Sequence, residues 1–298
     1  MKIVVYQDRN LNEKRIQGTL NSIFLSLKEK YNNYDVEYVK FKNFKLIKSD
    51  FAIIWNVYCK FKNDTMYRKL VKEFQKKNND KLIVVEMGFI KRENYLSFGF
   101  DDISNFGNYP NFPDDYLRLE KLNVKIKDLN YNKNSDKHIL FCSQVPWDTQ
   151  IQNLDYNKWL ISTLKEIKKY SNRKIIFRKH PLHTPRPGFK YFDNEFLKKN
   201  NIYAEISTNN LKDDLKNCYC VVAYNSTVLV DSILEGIPII SGSNTSIIYD
   251  LSTKKISDIE NLTRFTNLEI KKVLSNISYK QWSIEEFKKG EPFKFFFK

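Results

Sequence analysis

Asn217 to Ser243, NCYCVVAYNSTVLVDSILEGIPIISGS, decides the fold of this 298-residue chain. Cys218 to Ala223 is a short apolar run with β-branched valines, the composition of a buried strand. Tyr224, Asn225, Ser226 and Thr227 follow, amide and hydroxyl residues of the kind that cap a helix N-terminus. Val228 to Glu235 has helical spacing, Gly236 suits the residue that ends a helix, and Pro238 bars continuation. Pro238 to Ile240 opens another apolar strand. Strand, polar turn, helix, strand is the repeating element of a mostly parallel α/β sheet.

The polar turn has a chemical consequence. A helix starting at Ser226 and Thr227 leaves backbone N–H groups unpaired, and its dipole adds positive potential, which suits a diphosphate. Asp231 lies one turn beyond Thr227 and is placed to accept hydrogen bonds from ribose hydroxyls. A capped helix with a solvated Asp231 is the plainer alternative, because such units occur in many folds.

Upstream, His138 to Cys142 reads as a strand entering Ser143-Gln144, and Asn157 to Tyr170 as an amphipathic helix. Lys174 to Phe177 is a strand leading directly into Arg178-Lys179-His180-Pro181. Arg178 offers a planar fork and Lys179 a mobile charge for phosphate oxygens, and Gln144 is a further donor. Phe192 to Lys199, Tyr203 to Ile206 and Leu211 to Lys216 read as helix, strand and helix. A basic loop with a structural histidine remains the alternative for residues 178–181.

The first half shows the same alternation. Lys2 to Tyr6, Asp35 to Val39, Phe51 to Trp55 and Leu82 to Val85 read as strands, and Leu11 to Lys30 and Thr65 to Lys77 as helices. Ligand groups in such sheets gather at strand carboxyl ends, where Glu86 stands. Phe89 to Leu129 reads as aromatic, polar loops that contain Asp101 and Asp102. Glu86 or Asp101 is the expected base for a hydroxyl nucleophile. Leu119 to Asn134 is the expected linker, and the tail from residue 268 is long enough to pack back on the first half.

Composition narrows the classes. Fifty Lys and Arg against 35 Asp and Glu give a net charge of +15, which implies an anionic partner or a generally basic surface. No run approaches a membrane span, and the N-terminus lacks the pattern of a signal peptide, so a cytoplasmic protein is expected. Cys59, Cys142, Cys218 and Cys220 lack metal spacing and read as buried thiols. Three histidines make a histidine metal site improbable, and no P-loop, GxGxxG, GxSxG or HExxH motif occurs.

RKHP after one strand and YNSTVLVDSILEGIPII after another resemble the donor-binding half of GT-B glycosyltransferases, in the capsule-polysaccharide and Kdo-transferase-like branch. The resemblance implies an α/β fold of two Rossmann-like domains facing a central cleft: residues 1–130 for the acceptor, 131–265 for a nucleotide-sugar, and 266–298 crossing back to the first. It implies that Ser226 and Thr227 hold phosphate, that His180 is the motif histidine, and that Asp231 stands where Glu is usual, with a shorter reach. A UDP-sugar donor without a required metal follows from it. VEMGFIKRENYLSFGFDDISNFG, FCSQVPWDTQI and YKQWSIEEFKKGEPF are similar to phage-encoded glycosyltransferase-like proteins, some of which modify DNA bases. On that resemblance the acceptor is a hydroxymethylated pyrimidine in double-stranded DNA, within an infected bacterial cell. Phe98, Phe100, Phe106 and Tyr109 would then stack on an extruded base. A cell-surface glycan acceptor, or a non-catalytic nucleic-acid-binding protein on the same scaffold, are the alternatives.

Overall fold

The computed structural model describes residues 1–9, 14–134 and 136–297. Its strands are β1 (Lys2–Tyr6), β2 (Asp35–Val39), β3 (Phe51–Trp55), β4 (Lys81–Met87), β5 (Tyr95–Phe100), β6 (His138–Cys142), β7 (Ile175–Arg178), β8 (Glu205–Ile206), β9 (Cys218–Ala223), β10 (Ile239–Ser241), β11 (Ser252–Thr253) and β12 (Gln281–Ser283). Its α-helices are α1 (Lys14–Lys30), α2 (Met66–Lys77), α3 (Leu117–Leu122), α4 (Tyr156–Tyr170), α5 (Asn194–Lys199), α6 (Leu211–Leu215), α7 (Val228–Leu234), α8 (Asn267–Tyr279), α9 (Ile284–Lys288) and α10 (Phe293–Phe296). The expected start of the first helix at Leu11 falls outside the described residues. The chain divides into two compact units, Met1–Arg118 with Ser275–Lys298, and Leu119–Leu274.

The first unit holds one sheet in the order β12–β5–β4–β3–β1–β2. β1, β2, β3 and β4 are mutually parallel, with Ile3 opposite Val36 and Val4 opposite Ala52. Every residue of β3, FAIIW, is buried, as expected for a parallel strand covered on both faces. β5 runs antiparallel to β4, with Ile83 opposite Phe100 and Glu86 opposite Ser97. This strand lies inside the stretch that the sequence reads as loop. Its YLSFGF pattern is masked by the Asn, Asp and Gly residues that follow it.

The C-terminal segment completes this unit. β12 pairs antiparallel with β5, and Phe287, Phe293 and Phe296 are buried against Phe98. The buried Gln281 accepts hydrogen bonds from the Phe89 and Ile90 N–H groups at 2.7 and 2.8 Å and donates to Ile90 O at 2.9 Å. Arg118 forks onto Glu286 at 2.5 Å, with both side chains less than a tenth exposed, and lies 3.8 Å from the Trp282 ring centre.

The second unit holds an all-parallel sheet in the order β11–β10–β9–β6–β7–β8. α4 starts where Asp155 accepts the Lys158 N–H, and it buries Tyr156, Leu160, Thr163, Leu164 and Ile167 at helical spacing. Tyr156, Leu160, Leu164 and Ile167 share one core with Ile139, Phe141, Val222 and Ile240 of the sheet. The expected linker is not a free connection. Lys127 N–H donates to Leu234 O and Asn130 N–H to Gly236 O, so the segment runs along the end of α7. Gly236 has φ +76° there, and a Cβ would meet Lys127 at 3.0 Å. The four cysteines are buried free thiols. Among the described residues, no helix is long and apolar enough to cross a membrane.

Candidate functional site

The second sheet reverses its winding between β6 and β9. The chain passes from β6 outward through β7 to β8, returns to β9 on the other side, and passes outward through β10 to β11. Connections leave in opposite directions at that point, which in sheets of this kind is where a ligand crevice forms, at the carboxyl ends of β6 and β9. Cys142 lies opposite both Arg178 and Ala223, and Ala223 lies opposite Ser241. Ser143-Gln144, Lys179-His180, Tyr224-Asn225 and Gly242-Ser243 therefore leave the sheet at one level.

The crevice residues are polar and buried. Ser143, Gln144 and Asn225 are only 2–3% exposed. Tyr156 Oη accepts the Gln144 N–H at 2.7 Å, and Gln144 Oε1 accepts the Asn225 N–H at 3.4 Å, so Gln144 ties the two strand ends together. Asn225 Nδ2 donates to Thr245 Oγ1 at 2.9 Å. Ser143 Oγ and Asn225 Oδ1 have no hydrogen-bond partner among the described residues. Each such group costs about 1–3 kcal/mol when left unsatisfied. A polar ligand offsets both costs, with Ser143 donating to an anionic oxygen and Asn225 accepting from a hydroxyl.

The end of β7 differs from the sequence expectation in two respects. β6 lies between β7 and β9, so Arg178 stands two strands, about 10 Å, from Ala223, the last residue of β9 before the turn that carries Ser226. Arg178 is also committed elsewhere: its Nη1 donates to Asp214 Oδ2 and to Asn209 O, both at 2.7 Å. The Asp214 side chain is 1% exposed, so Arg178 compensates a buried carboxylate. Lys179 remains as a cation at the strand end. It makes no ion pair among the described residues, and its Nζ donates to Tyr191 Oη at 2.9 Å. His180 Nδ1 accepts the Leu182 N–H at 3.1 Å, which leaves the neutral ring's proton on Nε2 as a donor. His183 is a packing residue between Trp147, Tyr191 and Phe192, and burial lowers its pKa.

At the end of β9, Ser226 Oγ accepts the Val228 N–H at 3.4 Å, a long bond, and Thr227 makes no side-chain cap. α7 spans seven residues, so its dipole is a small contribution beside the buried polar groups. Asp231 is exposed in its first turn.

In the first unit, Glu86 stands at the carboxyl end of β4, 15% exposed and 3.6 Å from Arg92 Nη2. Asp101 stands at the opposite end of that sheet. Its N–H donates to Leu82 O, four residues before Glu86 along β4, or roughly 13 Å. The cause is β5, which carries the chain back to the amino ends of the parallel strands. The aromatic set also differs from expectation. Phe98 is fully buried, and Phe100 packs on Phe296. Tyr109 sits against Gly99 and donates to Ser104 O, so of the four only Phe106 is exposed. The charge surplus is spread as well: residues 1–118 and 275–298 carry 26 basic and 18 acidic residues, and residues 119–274 carry 24 and 17.

Asp8 is a residue the sequence reading passed over. The first sheet reverses its winding between β1 and β3, and Asp8 lies just past β1. It is 2% exposed and accepts from Tyr67 Oη at 2.5 Å and Arg68 Nη2 at 2.6 Å. The signal was present: Gln7-Asp8-Arg9 directly follows a buried strand, as Ser143-Gln144 does.

No family model and no curated protein matches the chain. Among solved structures it is similar to KpsC of Thermosulfurimonas dismutans, a β-Kdo 2,7 transferase, at 16% identity and TM-score 0.53, over 98% of this chain and 99% of that one. A weaker likeness links it to the UDP-GlcNAc 2-epimerase of Neisseria meningitidis bound to UDP-GlcNAc, with 11% identity, 99% of both chains and TM-score 0.36. The UDP-GlcNAc 2-epimerase of Methanocaldococcus jannaschii in complex with UDP-GlcNAc and UDP gives 13% identity, 93% of this chain, 99% of that chain and TM-score 0.32. The fold is GT-B, with two Rossmann-like units built on parallel-rich sheets.

Proposed function

We propose that this chain is a glycosyltransferase that moves a sugar from a nucleotide-sugar to a hydroxyl of a glycan, and that the donor's phosphates lie at the carboxyl ends of β6 and β9. The carrying observation is the pair of buried, unsatisfied groups at that reversal point, Ser143 Oγ and Asn225 Oδ1. Lys179, the His180 Nε2–H and Ser226 supply the donors that meet the leaving group's charge, and Asp231 takes a ribose hydroxyl. Arg178 acts indirectly, by holding the β7 end in place.

The acceptor oxygen forms a bond to the anomeric carbon as the bond from that carbon to phosphate breaks, and the phosphate leaves with the bonding electrons. The acceptor proton passes to a carboxylate. Glu86, at the carboxyl end of β4, and Asp101, at the opposite end of that sheet, are the candidates. The likeness to KpsC supports a transferase of this class and a cell-surface acceptor such as capsule or lipopolysaccharide. Phe98 is buried, Phe100 and Tyr109 are half-buried, and the charge surplus is divided almost equally between the two units, which favours such an acceptor over DNA.

The test is incubation of the full chain with a panel of UDP- and CMP-sugars, with and without capsular oligosaccharides, and chromatography of the released nucleotide. Acceptor-dependent release, retained in EDTA and lost in Asn225→Ala, is expected. Release that follows only hydroxymethylated DNA would overturn the glycan acceptor. Absence of both release and nucleotide binding would overturn the transferase reading.

A further inference from the structure

A cavity of about 710 Å³ lies beside β9 and β10, between α4 and the segment Tyr249–Ser257, wholly within the second unit. Its lining contains none of Ser143, Gln144, Lys179, His180 and Asn225, and it meets that end of the sheet through Tyr224, Gly242 and Ser243. Its size falls in the range of about 300–1,000 Å³ found for small-ligand sites.

The lining combines three chemistries. Trp159 and Tyr224 form an aromatic wall, with ring centres 5.0 Å apart at 73°. The Trp159 indole N–H makes no hydrogen bond among the described residues. It rests on Gly242, where a Cβ would overlap the indole, so glycine is what leaves room for the ring. Ser243 and other hydroxyl residues also line the cavity. The third part is charged. Glu166 is exposed on the α4 side, while Lys254 and Lys255 are exposed on the facing segment. Neither Glu166 nor Lys255 makes an ion pair among the described residues. Lys254 Nζ lies 3.5 Å from the Tyr249 ring centre, held against that ring, which leaves Lys255 as the second cation of the lining.

We propose that this cavity is a second saccharide site, which takes a sugar residue bearing a carboxylate. Aromatic rings accept the C–H face of a sugar, Glu166 and the indole N–H pair with its hydroxyls, and the Lys255 ammonium meets its carboxylate. A hydrophobic ligand would leave these polar groups unpaired. The site rests on the transferase reading in one respect: an acidic glycan held here is the polymer on which the enzyme works.

Isothermal titration with a hexuronic-acid trisaccharide, with a neutral glucose trisaccharide as control and UDP as a separate arm, tests this. The acidic trisaccharide is expected to bind saturably, and the neutral one more weakly. Lys255→Glu, a surface change, is expected to weaken the acidic ligand about tenfold and leave UDP affinity unchanged. Trp159→Phe keeps the packing, removes the N–H and is expected to weaken both saccharides. Absence of saturable binding by the acidic trisaccharide, or indifference to Lys255→Glu, overturns the proposal. Loss of UDP binding in Lys255→Glu also overturns it, by assigning the cavity to the donor. Failure of UDP to bind, with the acidic saccharide still bound, refutes the donor site alone.

Discussion

Replacing Arg178 with methionine separates a structural role from a ligand-binding one. Asp214 is buried and receives, besides Arg178 Nη1 at 2.7 Å, the Ser207 hydroxyl at 2.6 and 2.7 Å and Asn209 Nδ2 at 3.3 Å. Arg178→Met removes the only cation in that set and leaves a carboxylate that is 1% exposed. Breaking a buried pair from one side costs about 3–5 kcal/mol. For a unit of this size, roughly 2–4 °C per kcal/mol converts that into a fall of about 6–20 °C in melting temperature. Arg178→Met/Asp214→Asn removes the stranded charge, keeps the Ser207 hydrogen bond, and is expected to recover at least half of the loss. Differential scanning calorimetry reads both variants, and nucleotide titration of the double variant follows, with affinity expected within about threefold of the parent. A single variant within about 1 kcal/mol of the parent would refute the structural role. A double variant that folds well but loses nucleotide affinity about tenfold or more would return Arg178 to the phosphate site.

Gly242→Val drives a branched side chain into the Trp159 ring and is expected to cost about 1–3 kcal/mol by urea unfolding. Gln281→Met strips two N–H groups and one carbonyl of their partners and is expected to destabilise the first unit by about 2–5 kcal/mol, read by thermal unfolding. Burial lowers the pKa of both His138 and His183, so the folded state binds fewer protons than the unfolded state just below the ordinary value of 6.5. Their contribution is present above pH 6.5 and is lost as pH falls through that value toward the lowered folded pKa. Denaturation midpoints measured from pH 7 down to about 5 are expected to decline, and His183→Phe is expected to flatten the decline.

Local chemistry was legible in the chain where the pattern was strong. β1, β2, β3, β6 and β9 end where the apolar runs end, and the Gly236-Ile237-Pro238 break closes α7. The order of strands was not legible. Nothing between residues 138 and 223 announces that β6 lies between β7 and β9, because that order follows from which helix covers which face. The same limit left Asp101 and Glu86 as alternative bases. They are 15 residues apart in sequence, but an antiparallel strand between them puts them at opposite ends of one sheet. Arg178 looked like a phosphate ligand because Asp214, its partner, lies 36 residues further on. The unsatisfied Ser143 and Asn225 atoms are a property of packing alone and leave no mark in composition.

Hydrogen–deuterium exchange of the full chain with and without UDP, and then with the matching UDP-sugar, tests the donor site most directly. Slowed exchange confined to peptides covering 143–147, 179–183 and 224–228, abolished in Ser143→Ala/Asn225→Ala while that variant keeps its melting temperature, is the predicted result. Protection that appears elsewhere in the chain, or that survives in the double variant, would contradict it.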